Sequence, residues 1–112
     1  MIIWHNNRCR KSRETLQLME GKTTDFEIVN YLETPPSKAE LKEVIAMLGI
    51  KPHDLIRKGE AEYKDNFKGK DLSDDQWLDA MVKYPKLIER PIVIKGNQAI
   101  IGRPPEKVLE LL

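Results

Sequence analysis

The sequence predicts an α/β fold with a mixed sheet, built in the order β-α-β, then a run of helices, then β-β-α. Three observations carry this. An apolar run, Ile2-Ile3-Trp4, and a β-branched and aromatic one, Phe26-Glu27-Ile28-Val29-Asn30-Tyr31, flank a helix-like stretch. Two capping boxes, Ser37-x-x-Glu40 and Ser73-x-x-Gln76, open helices in the middle of the chain. Near the end, Pro91-Ile92-Val93-Ile94 and Ala99-Ile100-Ile101 flank Gly96-Asn97, a favoured two-residue hairpin turn.

In chain order, Ile2-Ile3-Trp4 reads as a buried first strand. A polar loop follows, then a helix from about Cys9 to Glu20 that ends at Gly21. The Phe26–Tyr31 strand completes a βαβ unit, whose strands run parallel. Leu41, Val44, Ile45 and Leu48 form the apolar face of the next helix, with Gly49 as its stop. His53 to Lys64 reads as one or two short helices carrying Arg57, and Asp65 to Asp71 as a polar loop. Trp77, Leu78, Met81 and Val82 are spaced to bury one face of a further helix. Pro104-Pro105 opens a last helix through Val108, Leu109 and Leu112.

With the turn at Gly96-Asn97, Ile94 faces Ala99, Ile92 faces Ile101 and Arg90 faces Arg103. Like charges directly opposite one another are destabilising, so this pairing makes sense with an anion between the two arginines. Apolar residues on both faces of the hairpin call for helices on each side of the sheet. A thioredoxin-like fold meets this description, as one domain over residues 1–112 with a helical insertion at about 37–84.

The 112 residues suffice for one cored domain and not for two. Net charge is only +1 although 33% of residues are charged, so no broad basic face for nucleic acid is expected. No apolar run reaches the length of a membrane span, and Met1–His5 is too short for a signal segment, so the expected location is the cytoplasm, with no membrane partner. His5, Cys9 and the distant His53 make no metal-ligand pattern. No metal and no bound cofactor are expected.

The single cysteine, Cys9, lies in His5-Asn6-Asn7-Arg8-Cys9-Arg10-Lys11-Ser12-Arg13, at a strand-to-helix junction and among cations. Cations and a helix N-terminus both stabilise thiolate over thiol, so Cys9 reads as an activated nucleophile. A lone cysteine forms no intramolecular disulfide, so any redox step must be resolved by a thiol from another molecule. His5 is either a capped or solvated loop histidine or a group that orients or polarises Cys9, and Ser12 either donates within the first helical turn or joins the site. Cys9, His5 and Ser12 are the candidate catalytic residues.

The chain also resembles the glutaredoxin-linked arsenate reductases over essentially its whole length. The resemblance is carried by His5-Asn6-Asn7-Arg8-Cys9 with Ser12-Arg13, by Tyr31-Leu32-Glu33-Thr34-Pro35-Pro36, and by Leu55-Ile56-Arg57-Lys58. Leu87-Ile88-Glu89-Arg90-Pro91-Ile92-Val93 and Gly102-Arg103-Pro104-Pro105-Glu106 complete it. The resemblance implies a cysteine that attacks arsenate, an arginine trio for the oxyanion at Arg57, Arg90 and Arg103, and a cis bond before Pro91. It also implies glutathione as co-substrate and glutaredoxin as protein partner. The family usually has proline where Asn7 stands and often small residues where Arg10 and Lys11 stand, so this loop is more cationic than the pattern. Two other readings share the fold: a glutathione-dependent thiol oxidoreductase of unknown substrate, and a non-catalytic regulator of the kind that contacts RNA polymerase. The regulators commonly carry CxxC, where this chain has Ser12.

Overall fold

The computed structural model describes all 112 residues, Met1–Leu112. The chain divides into two compact units: Met1–Thr34 with Arg90–Leu112, and Pro35–Glu89.

The first unit holds β1 (Ile2–His5), α1 (Arg10–Glu20), β2 (Glu27–Asn30), β3 (Ile92–Lys95), β4 (Gln98–Ile101) and a closing 3-10 segment, Pro105–Glu110. Its sheet has the order β2-β1-β3-β4, with β1 parallel to β2 and antiparallel to β3. This is the mixed sheet of a thioredoxin-like fold. The hairpin register is the expected one: Ile92 pairs with Ile101, Ile94 with Ala99 and Lys95 with Gln98. At the turn, Gly96 has φ +60° while Asn97 stays outside the positive-φ region, the pattern of a type II′ turn.

Period-2 alternation puts Ile3 and Val93 on one face, where they join Met19 of α1 with Val108 and Leu111 in a buried core. Ser12, Thr15 and Met19 recur on one side of α1, and that side is buried. Each large aliphatic side chain so buried stabilises the unit by about 1.5–3 kcal/mol. The same register leaves Ile28, on edge strand β2, half exposed.

The closing segment differs from expectation. It is 3-10 rather than α, with Lys107 N–H donating to Pro104 O and Leu111 N–H to Val108 O. The tighter i→i+3 bonding still buries Val108. Leu109 consequently faces outward.

The second unit holds α2 (Lys38–Leu48), a 3-10 turn at Pro52–Leu55, α3 (Ala61–Asn66), α4 (Asp74–Lys83) and a 3-10 turn at Pro85–Leu87. Both capping boxes form as expected, Ser37 with Glu40 and Ser73 with Gln76. α2 buries Leu41, Val44 and Ile45, and α4 buries Trp77, Leu78, Ala80 and Met81. Trp77 anchors an aromatic group, its ring 4.9 Å from His53 and 5.8 Å from Phe67.

Arg57 lies between the short helices rather than on one. Ile56 is extended (φ −76°, ψ 130°) and bridges Ile88, flanked by Arg57 N–H to Leu87 O at 2.7 Å and Glu89 N–H to Leu55 O at 2.9 Å. The buried β-branched pair Ile56 and Ile88 favours this short antiparallel contact over a helical turn.

Candidate active site

β1 ends at His5 and α1 begins at Arg10, so the connecting loop delivers Cys9 to the helix N-cap. Asn6 builds that loop. Its carbonyl accepts the Cys9 N–H at 3.0 Å, and its Oδ1 accepts the Arg8 N–H at 3.0 Å. The Cys9 carbonyl accepts Arg13 N–H at 3.0 Å as the helix starts, and Arg13 Nη1 reaches back to Asn7 O at 3.0 Å. The sulfur of Cys9 makes no well-formed capping hydrogen bond, but the Ser12 backbone N–H of the first turn faces it.

Its charged partners are arginines. Arg103 donates through Nη2 to Cys9 Sγ at 3.3 Å and through Nε to the Arg90 carbonyl at 2.7 Å. One guanidinium thus ties the thiol to the end of the hairpin. Burial by itself pushes the Cys9 thiol up. The Ser12 backbone N–H, a hydrogen bond from Arg90 and the charges of Arg90 and Arg103 outweigh it and hold Cys9 below the ordinary thiol value.

His5 and Ser12 are both buried and bonded to each other, His5 Nδ1 to Ser12 Oγ at 2.6 Å. The Asn6 N–H also donates to that Oγ at 3.0 Å, so the hydroxyl joins the loop backbone to the imidazole. The tautomer sets the direction of the His5–Ser12 bond, because the hydroxyl can both donate and accept. Burial, the largest influence, and the nearby Arg13 charge pull the imidazole below its ordinary value, against an Asn7 side-chain hydrogen bond that raises it. Ser12 therefore links two parts of the site, its hydroxyl to His5 and its backbone N–H to Cys9.

The peptide bonds Arg90–Pro91 and Arg103–Pro104 are both cis, the first as the resemblance implies. Gly102, just before Arg103, donates its N–H to Pro91 O at 2.9 Å. A Cβ there would meet Thr15 Oγ1 at 2.6 Å and Pro91 Cγ at 2.9 Å, so only glycine fits without displacement. Asn6, Thr15 and Gly102 were not among the expected site residues. Gly102 has a local signal, being a glycine directly before Arg-Pro-Pro, whereas Thr15 and Asn6 have none.

Of the expected residues, the structure brings Cys9, Arg90 and Arg103 together, and His5 and Ser12 together beneath the loop. Arg57 stands in the other unit, where its Nε donates to Glu60 at 3.2 Å and its Nη1 to Glu89. No group of three or more metal-ligating side chains occurs, and no helix is long and apolar enough to cross a membrane.

A thiolate held by two guanidiniums is suited to attack a centre that carries negative oxygens, because the same donors serve the nucleophile and the anion.

Comparison with known proteins agrees with this chemistry. The ArsC family matches residues 4–111. The chain is 46% identical over 112 residues to YfgD of Escherichia coli strain K12, described as uncharacterized, covering 98% of this chain and 94% of that one. It is 45% identical over 114 residues to an arsenate reductase of Haemophilus influenzae, covering 100% of this chain and 98% of the relative. Among solved structures it is similar to an arsenate reductase from Vibrio cholerae, with a TM-score of 0.93 and 48% identity, covering 99% of this chain and 96% of that one.

Proposed function

The chain belongs to the ArsC family, and from that premise we propose that it reduces arsenate to arsenite through Cys9, with glutathione and glutaredoxin as the sources of electrons. The observation that carries this reading is the bond from Arg103 Nη2 to Cys9 Sγ with Arg90 alongside. It joins a stabilised thiolate to two oxyanion-binding cations. The arsenate reductase names of relatives at this level of identity support it.

In this reading the Cys9 thiolate attacks the arsenic of arsenate, an arsenic–sulfur bond forms and an oxygen leaves as water. Arg90 and Arg103 neutralise the developing charge, and Arg57 is the third oxyanion arginine by the family resemblance. The glutathione thiol then displaces a second oxygen from arsenic as water and forms a second arsenic–sulfur bond. A glutaredoxin thiolate attacks the glutathione sulfur and leaves as a glutaredoxin–glutathione mixed disulfide, so the electron pair of that arsenic–sulfur bond stays on arsenic and reduces it from the +5 to the +3 state. Hydrolysis frees arsenite and returns Cys9. The external thiols answer the absence of a second cysteine. His5 and Ser12 act as positioning residues, because their mutual bond fixes the turn whose Ser12 N–H faces the sulfur.

The test is arsenate-dependent NADPH consumption coupled through glutathione reductase, glutathione and glutaredoxin. Cys9→Ser abolishes turnover. Arg90→Ala and Arg103→Ala each lose about 1.5–3 kcal/mol of kcat/KM, the worth of a hydrogen bond to a charged group. Full activity in Cys9→Ser overturns the assignment, and unchanged kinetics in both arginine variants overturns the oxyanion role. Glutathionylation of Cys9 without arsenate turnover points instead to a thiol oxidoreductase of another substrate.

A further inference from the structure

Residues 8–13 carry four cations and no acid, in a chain whose net charge is only +1. None of the four is bonded to the Cys9 sulfur, whose charged partners are Arg90 and Arg103. Two of the four are engaged within the loop and helix: Arg10 pairs with Glu14 at 2.9 Å, and Arg13 donates to the Asn7 carbonyl. Arg8 and Lys11 remain, one on each side of Cys9 in sequence, both exposed and neither in an ion pair. The first turn of α1 contains no acid to balance them. Packing this much like charge beside a nucleophile costs the fold electrostatic repulsion, and only Arg10 has an acid, Glu14, to offset it.

The oxyanion already has donors that reach the sulfur. The second reactant, a thiol from outside, also carries charge: glutathione has two carboxylates and one ammonium. We infer that Arg8 and Lys11 form the docking surface that receives the carboxylates of glutathione as it approaches Cys9, an inference that rests on the reading of glutathione as the external thiol. Exposed cations act mainly on the encounter rate, through a field that salt screens. Their signature is therefore a salt-sensitive preference for an anionic partner over a neutral one of the same reactivity class.

Thiol–disulfide exchange isolates this step without arsenate. The Cys9 thiolate attacks one sulfur of glutathione disulfide, the disulfide bond breaks, a Cys9–glutathione mixed disulfide forms, and a glutathione thiolate leaves with the electron pair. The same reaction with the neutral bis(2-hydroxyethyl) disulfide serves as reference, so any change in Cys9 ionisation cancels in the ratio of the two rates. For the full chain with Arg8→Gln and Lys11→Gln together, the ratio of glutathione disulfide rate to neutral disulfide rate at low salt falls by about 10-fold, the lower end for electrostatic steering. Raising salt to about 0.5 M brings the unsubstituted protein toward the variant's ratio, and Lys11→Arg leaves the ratio unchanged. An unchanged ratio in the double variant, or a ratio insensitive to salt, overturns the inference. Arsenate turnover measured in parallel separates the two readings. Discrimination between disulfides without arsenate reduction leaves the docking surface standing and removes the substrate. Arsenate reduction with no charge-dependent discrimination removes the docking surface alone.

Discussion

At the scale of single residues, the ionisation of Cys9 turns on the balance between burial and the groups facing its sulfur. Removing Arg103 takes away both a donor to Sγ and a charge beside it, and leaves the burial in place. Arg103→Gln therefore raises the midpoint of the pH profile for Cys9 alkylation by iodoacetamide, because the thiolate is the form that reacts. A profile that does not move sinks the view that Arg103 stabilises the thiolate. The sequence made Cys9 and the arginine pair legible, since cations around a lone thiol and like charges opposed in a hairpin both demand an anionic partner. It left His5 open between a capped or solvated loop residue and one that orients or polarises Cys9. The structure routes His5 through Ser12, and no spacing rule distinguishes a contact to the sulfur from one to the hydroxyl three residues further on.

At the scale of elements, local chemistry decided most of the outcome. Both capping boxes and the hairpin register were readable because each depends on a few adjacent residues, Ser37 with Glu40, Ser73 with Gln76 and Gly96 with Asn97. The extended segment at Ile56 and the 3-10 form of Pro105–Glu110 were not readable. The first depends on a partner 32 positions away, Ile88, and i,i+3 and i,i+4 patterns look alike over six residues. The packing of α1 against the hairpin end was equally hidden, and it carries its own prediction. Gly102 lies against Thr15 of α1 and against Pro91. Gly102→Ala overpacks this contact and destabilises the protein by about 1–3 kcal/mol in urea unfolding. Thr15→Ala removes the nearest obstructing atom, a buried hydroxyl oxygen that has no hydrogen-bond partner. The double variant therefore unfolds with a smaller loss than the sum of the two single losses, and strict additivity rules out the steric account.

At the scale of the whole molecule, the buried polar elements of the site set how stability responds to pH. His5 is held below its ordinary value of 6.5, chiefly by burial, with the Arg13 charge adding and the Asn7 hydrogen bond opposing. The unfolded chain then binds the imidazole proton more readily than the folded one, so stability falls as pH drops below 6.5 toward the folded value. Cys9 is held below its ordinary value of 9.0, and the unfolded chain again binds the proton more readily between the two values. Its contribution is complete above 9.0 and is lost as pH falls through the folded value. Both groups thus tilt the curve the same way, in windows whose upper ends are 6.5 for His5 and 9.0 for Cys9. Urea midpoints measured against pH under a phosphine reductant resolve them. His5→Gln flattens the loss on the acid side of 6.5, and Cys9→Ser removes the gain on the approach to 9.0, while the carboxylates shared by all three proteins cancel in the differences. Parallel curves for the unsubstituted protein and His5→Gln overturn the lowered His5 value, because they show that folding leaves the imidazole's proton affinity unchanged.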